Sequence, residues 1–414
     1  MNFIYIDLFL VLSFLWIDTS GNYSADSVEI INTSGQIDTL SLNTSITADT
    51  SIDIIDTLTQ TIDFEDDSLR QNQGDSLTKI DTLINAIDLK PDTFSIAMTG
   101  DVMLGTNFPS PNYLPPGNNC YPLLDSIKHF IQDADIGFCN LEGGFAGESG
   151  NAKNCKDPKT CYVFRMPDEY VNCLVDAGFD LVSTANNHVN DFGYAGKVNT
   201  VKVLEQAGLH FAGFIDHPHT IFKQNGIIIG FCAFSPNRGV MDLRNMDQAE
   251  SIVHLLSDTC DIVIVSMHGG AEGFEHQHVT RQSEIFLGAD RGNVYEFSHR
   301  MIDAGADIII GHGPHVTRAM EIYNDRFIAY SLGNFATYSR FNISGPNGIA
   351  PLVKLTVDSN GKFLGGKIIP VFQSGEGGTR FDPNKRVIFK LQDLIRTDFP
   401  DNMLNIDNEG NINP

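Results

Sequence analysis

Short apolar runs alternate with amphipathic stretches through residues 94–372. Five of these runs are unbroken and rich in β-branched residues, which is typical of buried parallel strands. The five runs are residues 95–98, 135–139, 180–184, 261–266 and 307–310. Helix-like stretches lie at residues 123–132, 169–177, 195–207, 246–257 and 294–304. This alternation predicts βαβ units around a mostly parallel sheet.

Hairpin signals replace the alternation late in the chain. Two segments, residues 319–332 and 352–371, carry turn residues at their centres, Asn324-Asp325 and Asn360-Gly361. We therefore expect a sheet that is parallel at its centre and antiparallel in its last strands. The fold class predicted is α/β, with mixed sheets stacked as a two-sheet sandwich under outer helices.

Composition divides the chain into four parts. An apolar stretch at residues 8–17 has the length of a signal-peptide core and is too short to span a bilayer, so residues 1–19 are predicted as a signal peptide or N-terminal anchor. Residues 20–92 are rich in Ser, Thr and Asp and predict a disordered acidic spacer. A folded domain is expected at residues 93–373, followed by a C-terminal extension at 374–414.

The formal net charge of −25 limits the partners that the chain can have. Sequence-independent nucleic-acid binding relies on Lys and Arg that neutralise phosphates, so this class is excluded. An anionic polymer or membrane surface would have to bind through a local basic patch or a metal. The sequence shows no such patch.

Seven cysteines cannot all pair with one another. Four lie in strand runs or on or beside predicted helices and are expected to be small buried hydrophobes. These four are Cys139, Cys173, Cys232 and Cys260. Cys155 and Cys161 bracket a polar turn, which suits a local disulfide in an exported protein or, alternatively, a zinc knuckle whose second ligand pair is missing. Cys120 is not assigned.

Residue types that can bind metals or transfer protons follow all five strand-like runs. Because ligands sit beyond the carboxyl ends of strands in open α/β sheets, we expect one composite site there. The residues concerned are Asp101, Asn140, Glu142, Asn187, His188, His268, His312 and His315.

The carboxylates and amides of the first two runs each have a simpler alternative. Asp101 could bind a divalent cation, or it could cap the turn that follows it. Asn140 and Glu142 face the same side of an extended backbone, which fits a shared ligand or a strand-end hydrogen-bond pair.

A histidine beside an amide follows the third run. Asn187 could bind a metal through its carbonyl oxygen while His188 donates a proton to a leaving group, with Asp191 orienting the imidazole. The alternative is a capping Asn beside a surface His. Elsewhere, His276 and His278 form a His-x-His on a loop and are expected to face solvent or substrate.

Six ordered motifs resemble the CapA family of capsule, or poly-γ-glutamate, synthesis proteins. The motifs are GDVMLG (100–105), NLEGG (140–144), NNHVNDFG (186–193), HGGAEG (268–273), GHGPHV (311–316) and YSLGNF (330–335). This family belongs to the calcineurin-like metallophosphoesterase superfamily. The resemblance implies a four-layer αββα domain with a usually dinuclear site of Mn, Fe or Zn at the strand ends.

The resemblance also implies roles for individual residues. The metal ligands would be Asp101, Asn140, Glu142, Asn187, His268, His312 and His315. Apart from the resemblance, the catalytic residues expected are His188 and Asp191, and the substrate contacts expected are Glu272, His278 and Asn334. The chain departs from the superfamily in having Met103 where its opening Asp-x-His has a histidine, and in one extra residue before His315, so one or two ions are expected.

Two functions compete at this stage. The first is an exported, metal-dependent hydrolase that acts on a phosphoester or related bond of an envelope polymer. The second is a non-catalytic envelope component that binds an anionic polymer and helps its export or anchoring. Both imply the periplasm or cell envelope, possible membrane-bound synthase components as partners, and no nucleic acid.

Overall fold

The computed structural model describes residues 90–148, 150–155, 161–402 and 404–413, and the backbone of short strands nearer the N terminus. Those strands are Phe9–Val11, Leu15–Ile17, Tyr23–Ala25, Ser27–Ile31, Ile37–Ser41 and Ser45–Ile46, paired in two three-stranded sheets. The rest of the predicted leader and spacer lies outside the described residues. The chain separates into Met1–Ile87 and Asp88–Pro414, and the second unit holds all the candidate site residues. In the described part of the chain, no helix is long and apolar enough to cross a membrane.

Strands and helices of the second unit are numbered in chain order. The strands are β1 (Thr93–Met103), β2 (Ile136–Leu141), β3 (Leu181–Ser183), β4 (His210–Ala212), β5 (His219–Gln224), β6 (Ile227–Phe234), β7 (Ile262–His268), β8 (Ile285–Phe286), β9 (Ala289–Asp290), β10 (Ile308–His312), β11 (Met320–Tyr323), β12 (Arg326–Ala329), β13 (Asn334–Thr337), β14 (Ile349–Asp358), β15 (Phe363–Gln373), β16 (Thr379–Phe381), β17 (Asn405–Ile406) and β18 (Asn411–Asn413). The helices are α1 (Lys128–Gln132), α2 (Val171–Ala177), α3 (Gly193–Gln206), α4 (Met246–Ser257), α5 (Val294–Asp303) and α6 (Arg386–Asp398).

Two mixed sheets form the centre of this unit. The first has the order β4-β3-β2-β1-β14-β15-β18-β17, with β13 beside β1 and β16 beside β15. The second has the order β5-β6-β7-β10-β12-β11. Strands β1 to β4 are mutually parallel, as are β6, β7, β10 and β12, while the late hairpins pair antiparallel. The predicted change from parallel to antiparallel pairing is confirmed.

Side-chain alternation along β1 shows how the layers stack. Ile96 and Met98 belong to the core between the two sheets, whereas Ala97 belongs to the core under the outer helices of the first sheet. A strand presents alternate residues to opposite faces, so β1 serves both cores. Helices α1 and α2 contribute to the outer core of the first sheet, and α4 and α5 pack on the second. The four-layer αββα arrangement is confirmed.

Predicted helices are found close to their expected bounds, with one marked difference. The stretch predicted as a helix from residue 123 is helical only from Lys128, because a 3-10 turn over Tyr121–Leu123, with Pro122 in its first turn, precedes it. Helix α4 has the predicted bounds, and α5 ends one residue earlier than expected.

The chain beyond residue 373 continues the same domain rather than forming a separate extension. Strands β18 and β16 both pair with β15. Strand β18 pairs with Gly366 and Lys367, and β16 pairs with residues 371–373. Helix α6 buries one face made of Val387, Ile388, Leu391, Leu394 and Ile395. The apolar residues of this face recur at helical spacing, and the expectation of a domain end near 373 overlooked them because the surrounding sequence is polar.

Two disulfides cross-link the domain. One joins Cys155 to Cys161, and the other joins Cys120 to Cys173, whose Cα atoms are 6.2 Å apart. The expectation that Cys173 is an unpaired buried residue was wrong, because α2 lies beside the turn that follows Cys120. Unpaired thiols are buried at Cys139 and Cys232 and half-buried at Cys260.

Candidate functional site

The carboxyl ends of the two sheets meet at one point. Asp101 pairs in register with Asn140 in the first sheet, and His268 pairs with His312 in the second. The Nε2 atom of His268 lies 3.3 Å from Oε2 of Glu142. The Nδ1 atom of His312 lies 3.5 Å from Oδ1 of Asp101. The structure thus brings all five side chains together, and all five are buried.

Two glycines allow this close meeting of backbones. A Cβ atom on Gly100 or on Gly311 would collide with backbone carbonyls of residues 330–333. The segment that fills this space leads directly into β13, where Asn334 pairs with Asp101. A larger residue before either site strand end would therefore force the two sheets apart.

His315 reaches the cluster from a strained turn. Its φ of 57° lies in the left-handed region, which disfavours non-glycine residues, and the side chain of Asn347 donates to its carbonyl at 3.2 Å. Its Nδ1 lies 2.7 Å from Oδ2 of Asp101, and its Nε2 lies 3.8 Å from Oε1 of Glu142. The strain places an imidazole against both carboxylates.

Electrostatics keep the carboxylates ionised despite burial. Burial alone would raise the pKa of Asp101, but His312 and His315 outweigh it and hold that pKa well below its usual range. Burial would also raise the pKa of Glu142, yet the charges of His268 and His315 lower it to about 2. Two buried carboxylates are thus available as anionic ligands.

The imidazoles of His312 and His315 differ in their preferred protonation state. Burial lowers the pKa of His312, which favours its neutral, ligand-competent form. For His315, burial also acts to lower the pKa, but the hydrogen bond to Asp101 outweighs it and raises the pKa to about 10. His315 and Asp101 therefore form a buried ion pair.

Four buried polar atoms of this cluster have no partner among the described residues. They are Oε1 of Glu142, Oδ1 of Asn187, Nδ1 of His268 and Nε2 of His312, whereas the other ring nitrogen of each histidine faces a carboxylate. Unsatisfied buried polar atoms are rare in folded proteins and call for an explanation. Carboxylate, amide and imidazole donors of this kind suit a borderline divalent cation, so the residues fit such an ion.

The side chains are nonetheless not arranged around one ion. Among the described residues, no group of three His, Cys, Asp or Glu is placed to hold a metal. The reason is visible at Asn140, whose Nδ2 donates to Asp101 at 2.8 Å and to Glu142 at 2.7 Å. This amide nitrogen lies between the two carboxylates that would have to share the ion.

His188 lies beside the cluster and is held by Asp191. Its Nδ1 lies 2.8 Å from Oδ2 of Asp191, and its Nε2 lies 3.9 Å from Oε1 of Glu142. Asp191 is itself fixed, since it accepts the backbone N–H of Phe164 at 2.7 Å and pairs with Lys153 at 2.5 Å. The ring of Phe164 packs on the imidazole with centroids 4.2 Å apart. Only Nε2 of His188 is left to face the cluster.

The sequence reasoning gave no role to Asn186, which organises this turn. Its Nδ2 donates to the carbonyl of Leu141 at 2.7 Å and to Oδ1 of Asn140 at 3.3 Å, and its Oδ1 accepts the N–H of His188 at 3.0 Å. The signal in the sequence was a second amide directly before Asn187. Asn186 ties the third strand end to the second.

A cleft of about 630 Å³ opens beside the cluster. Asn187, His188, His315, Glu272 and Asn334 all line it. The Oδ1 atom of Asn334 is buried and has no hydrogen-bond partner among the described residues, as expected of a group that waits for a ligand.

His278 does not line this cleft, although the sequence reasoning placed it with the substrate contacts. Its exposed ring lies with Nδ1 2.7 Å from Oδ1 of Asp398, the last residue of α6. The other oxygen of Asp398 accepts the N–H of Val279 at 3.0 Å. The C-terminal helix thus holds this loop through Asp398.

Three basic side chains also line the cleft: Lys153, Arg291 and Arg340. They are far apart in the sequence and come together only in the fold. Two of them are paired with acids, Lys153 with Asp191 and Arg291 with Glu272.

Comparisons with known proteins agree with the motifs. Residues 95–339 match the family model described as "Bacterial capsule synthesis protein PGA_cap". The chain is 26% identical over 266 residues to "Capsule biosynthesis protein CapA" of Bacillus anthracis, covering 59% of this chain and 60% of that protein. It is 28% identical over 264 residues to "PGA biosynthesis protein CapA" of Bacillus subtilis (strain 168), covering 59% and 63%. The match thus spans less than two thirds of either relative.

A solved structure also resembles the chain. It is that of a putative 5′-nucleotidase from Staphylococcus aureus in complex with alpha-ketoglutarate, with a TM-score of 0.41 and 14% identity. The alignment covers 73% of this chain and 58% of that chain.

Proposed function

Because the chain belongs to the bacterial capsule synthesis protein family, we propose that it serves the assembly of an anionic envelope polymer through a metal-dependent, phosphoesterase-type hydrolase site. One observation carries this proposal. Buried carboxylate, amide and imidazole atoms without partners meet where the strands of two sheets end. A purely structural cluster would be expected to satisfy these atoms internally.

The ion would be Mn, Fe or Zn, in one or two copies. The residues that would hold it are Asp101, Asn140, Glu142, Asn187, His268, His312 and His315. When bound, such an ion supplies Lewis-acid polarisation of a phosphoryl oxygen. Asn140 could join this set by turning its amide, which would direct its oxygen toward the carboxylates in place of its nitrogen.

His188 is the residue that we assign to proton transfer. Asp191 accepts from Nδ1, which fixes the ring and leaves Nε2 to exchange a proton with a leaving group in the cleft. The ring cannot rotate away easily, because Phe164 packs on one face. Lys153 and the N–H of Phe164 hold Asp191 in place.

The alternative is a non-catalytic envelope component that binds an anionic polymer. The observation in its favour is that Asn140 donates to both carboxylates, so no three candidate ligands among the described residues already surround one ion. In that case the basic side chains of the cleft would bind the polymer, and the carboxylate cluster would hold no metal.

Metal content and hydrolysis separate the two functions. The purified full chain would be tested for bound metal and for hydrolysis of bis(p-nitrophenyl) phosphate with added Mn or Zn. We expect turnover that drops at least about 100-fold in His188→Ala. His278→Ala is the matched control, since His278 is an exposed histidine outside the cleft, and it should behave as wild type.

Other outcomes of this assay favour the alternative or contradict the assignment. Bound metal without turnover, or no metal at all, favours the binding function. Equal loss in His188→Ala and His278→Ala would contradict the role given to His188.

We also propose that the protein acts outside the cytoplasm, in the periplasm or cell envelope, beside membrane-bound synthase components. The predicted leader at residues 1–19 supports this, and so do the two disulfides, which persist mainly in oxidising compartments. Cell fractionation with non-reducing peptide mapping tests it. A cytoplasmic protein with Cys120 and Cys173 as free thiols would overturn it.

A further inference from the structure

Arg291 is a buried arginine whose hydrogen-bonding capacity is mostly unused. Its side chain is 9% exposed, and its Nη1 lies 2.8 Å from Oε1 of Glu272. Its Nε and Nη2 make no hydrogen bond within the described residues. A buried charged group normally satisfies all its donors, because leaving them unpaired after removal from water is costly. The edge of the guanidinium formed by Nε and Nη2 therefore has no partner among the described residues, and the side chain lines the cleft.

The backbone of Arg291 is tied to the strand end that carries His268. Gly270, two residues after this histidine, donates its N–H to the carbonyl of Arg291 at 3.0 Å. The N–H of Arg291 in turn donates to the carbonyl of Glu284 at 2.8 Å. The position of the guanidinium is thus set from the same strand as the candidate metal cluster.

A buried ion pair makes this support rigid. Arg318 donates from Nη1 and Nη2 to the two carboxylate oxygens of Glu284, each at 2.8 Å. The same carboxylate accepts the N–H of Ala271 at 2.8 Å. Glu284 therefore connects the segment at residues 270–271 to the backbone of Arg291. A side chain whose backbone is fixed in this way is preorganised for binding.

The chemistry of the free edge selects its ligand. The fork of Nε–H and Nη–H groups matches two coplanar oxygens, as in a carboxylate. Glu272 already shows a carboxylate beside the same guanidinium. A dianionic phosphate would meet stronger repulsion from the adjacent Glu272 than a singly charged carboxylate would.

We propose that Arg291 is the specificity-determining residue of the cleft, and that it binds a carboxylate of the ligand through its Nε and Nη2 edge. This inference rests on the proposed function, in which the ligand is an anionic polymer, and adds the residue that reads its carboxylates. Arg291 holds the ligand; it takes no part in bond cleavage.

Binding measurements without metal test this role separately from catalysis. An oligomer of γ-linked glutamate is titrated into the full chain in EDTA, beside the same oligomer with its carboxylates amidated. We expect the carboxylate oligomer to bind wild type at least about 10-fold more tightly than the amidated one. Arg291→Gln should remove most of this preference. Arg291→Lys should restore only part of it, because lysine keeps the charge but lacks the fork.

Arg396→Gln is the matched control for loss of one positive charge. Arg396 is exposed on α6, pairs with Asp393 and does not line the cleft. We expect this variant to bind like wild type. Thermal melting of every variant confirms that each is folded, and Arg291→Lys guards against a folding defect specific to glutamine.

Four outcomes would overturn the inference. They are an Arg291→Gln protein that keeps the carboxylate preference, equal weakening in Arg291→Gln and Arg396→Gln, full recovery in Arg291→Lys, and a wild type that binds neither oligomer or prefers inorganic polyphosphate. Hydrolysis of the chromogenic phosphodiester that depends on His188 would still stand in each case, so failure of this inference is distinguishable from failure of the proposed function.

Discussion

At the amino ends of four parallel strands, an aspartate precedes the strand and accepts a backbone N–H from the neighbouring strand, whereas Asp101 and Glu142 at the carboxyl ends accept no backbone N–H from the described residues. The four aspartate bonds join Asp135 to Ser95 at 2.8 Å, Asp180 to Gly137 at 2.9 Å, Asp261 to Ile228 at 2.8 Å and Asp307 to Val263 at 2.8 Å. In each case the backbone N–H of the aspartate donates back to the carbonyl of the same neighbour. Each pair of hydrogen bonds joins two neighbouring strands at the amino edge of the sheet.

The carboxyl ends use the same type of residue for another purpose. Asp101 and Glu142 have as partners only an amide and imidazoles, and Oε1 of Glu142 has no hydrogen bond within the described residues. Residue type therefore does not distinguish a structural carboxylate from a functional one. For these residues the partner does: a backbone N–H at the amino end of the sheet, and a side chain or no partner at the carboxyl end.

The largest effect is expected for Glu142→Gln, which changes a carboxylate at the carboxyl ends of the strands. This change keeps the size of the side chain and removes the charge of a candidate metal ligand. We expect Zn or Mn affinity to fall more than about 100-fold, since even residues that only orient ligands change affinity 10- to 100-fold. Titration of metal into the apo protein measures it.

Unfolding of the same variant in EDTA provides the structural control. Glu142 pairs with His268 and accepts a hydrogen bond from Asn140, so loss of its charge should lower the free energy of unfolding in EDTA. A variant that binds metal as wild type does would assign Glu142 to the structural class.

The next effect is stabilisation of the folded protein by metal. A ligand that binds only the native state at 100 times its Kd adds about 2.7 kcal/mol to the free energy of unfolding. We expect this gain for wild type with Zn or Mn and its loss in His312→Ala, measured by urea denaturation. An equal gain in both proteins would place the metal elsewhere, for example on the exposed histidines.

Strands and their end residues were predictable because both depend on local patterns. An unbroken apolar run such as residues 307–310 predicts a buried strand, and parallel strands bring their carboxyl ends together whatever the loops between them do. The convergence of Asp101, Glu142, His268 and His312 follows from this alone. Their assignment to a metal remains a prediction.

Features that depend on distant contacts were not predictable. The pairing of Cys173 with Cys120 and the basic lining of the cleft arise from packing that no local pattern reports. The aspartates at the strand starts were visible in the sequence, at the beginning of four runs, but their role needed the register of the neighbouring strand. His278 was misplaced because its partner, Asp398, lies in a helix expected to be outside the fold.

A pH effect on stability tests the amino end at Asp307. Burial raises its pKa from 3.8 to about 6, although Arg326 Nε lies 2.7 Å away, so burial outweighs the ion pair. Well below pH 3.8 the group is protonated in both states and burial has no electrostatic cost. As pH rises to 6, the unfolded chain ionises first, and the folded state loses stability.

Asp307→Asn should remove this loss. We expect wild type to fall by on the order of 2 kcal/mol relative to the variant between pH 4 and 6. Denaturation curves at matched pH values measure it. Parallel curves for the two proteins across this range would show that Asp307 ionises as freely when folded as when unfolded.

The smallest effect is expected for substitution of Asp180, which tests directly whether the amino and carboxyl ends of the strands act separately. Asp180→Ala leaves the backbone N–H of Gly137 without its acceptor, which should cost about 1 kcal/mol in the free energy of unfolding. Asp180→Asn keeps an acceptor oxygen and should cost less than about half of that. Neither change should alter metal affinity, because Asp180 lies at the opposite end of β3 from His188. If Asp180→Ala weakened metal binding as much as Glu142→Gln does, the two ends of the sheet would be coupled, and the division of labour between backbone-bonded and unpartnered carboxylates would fail.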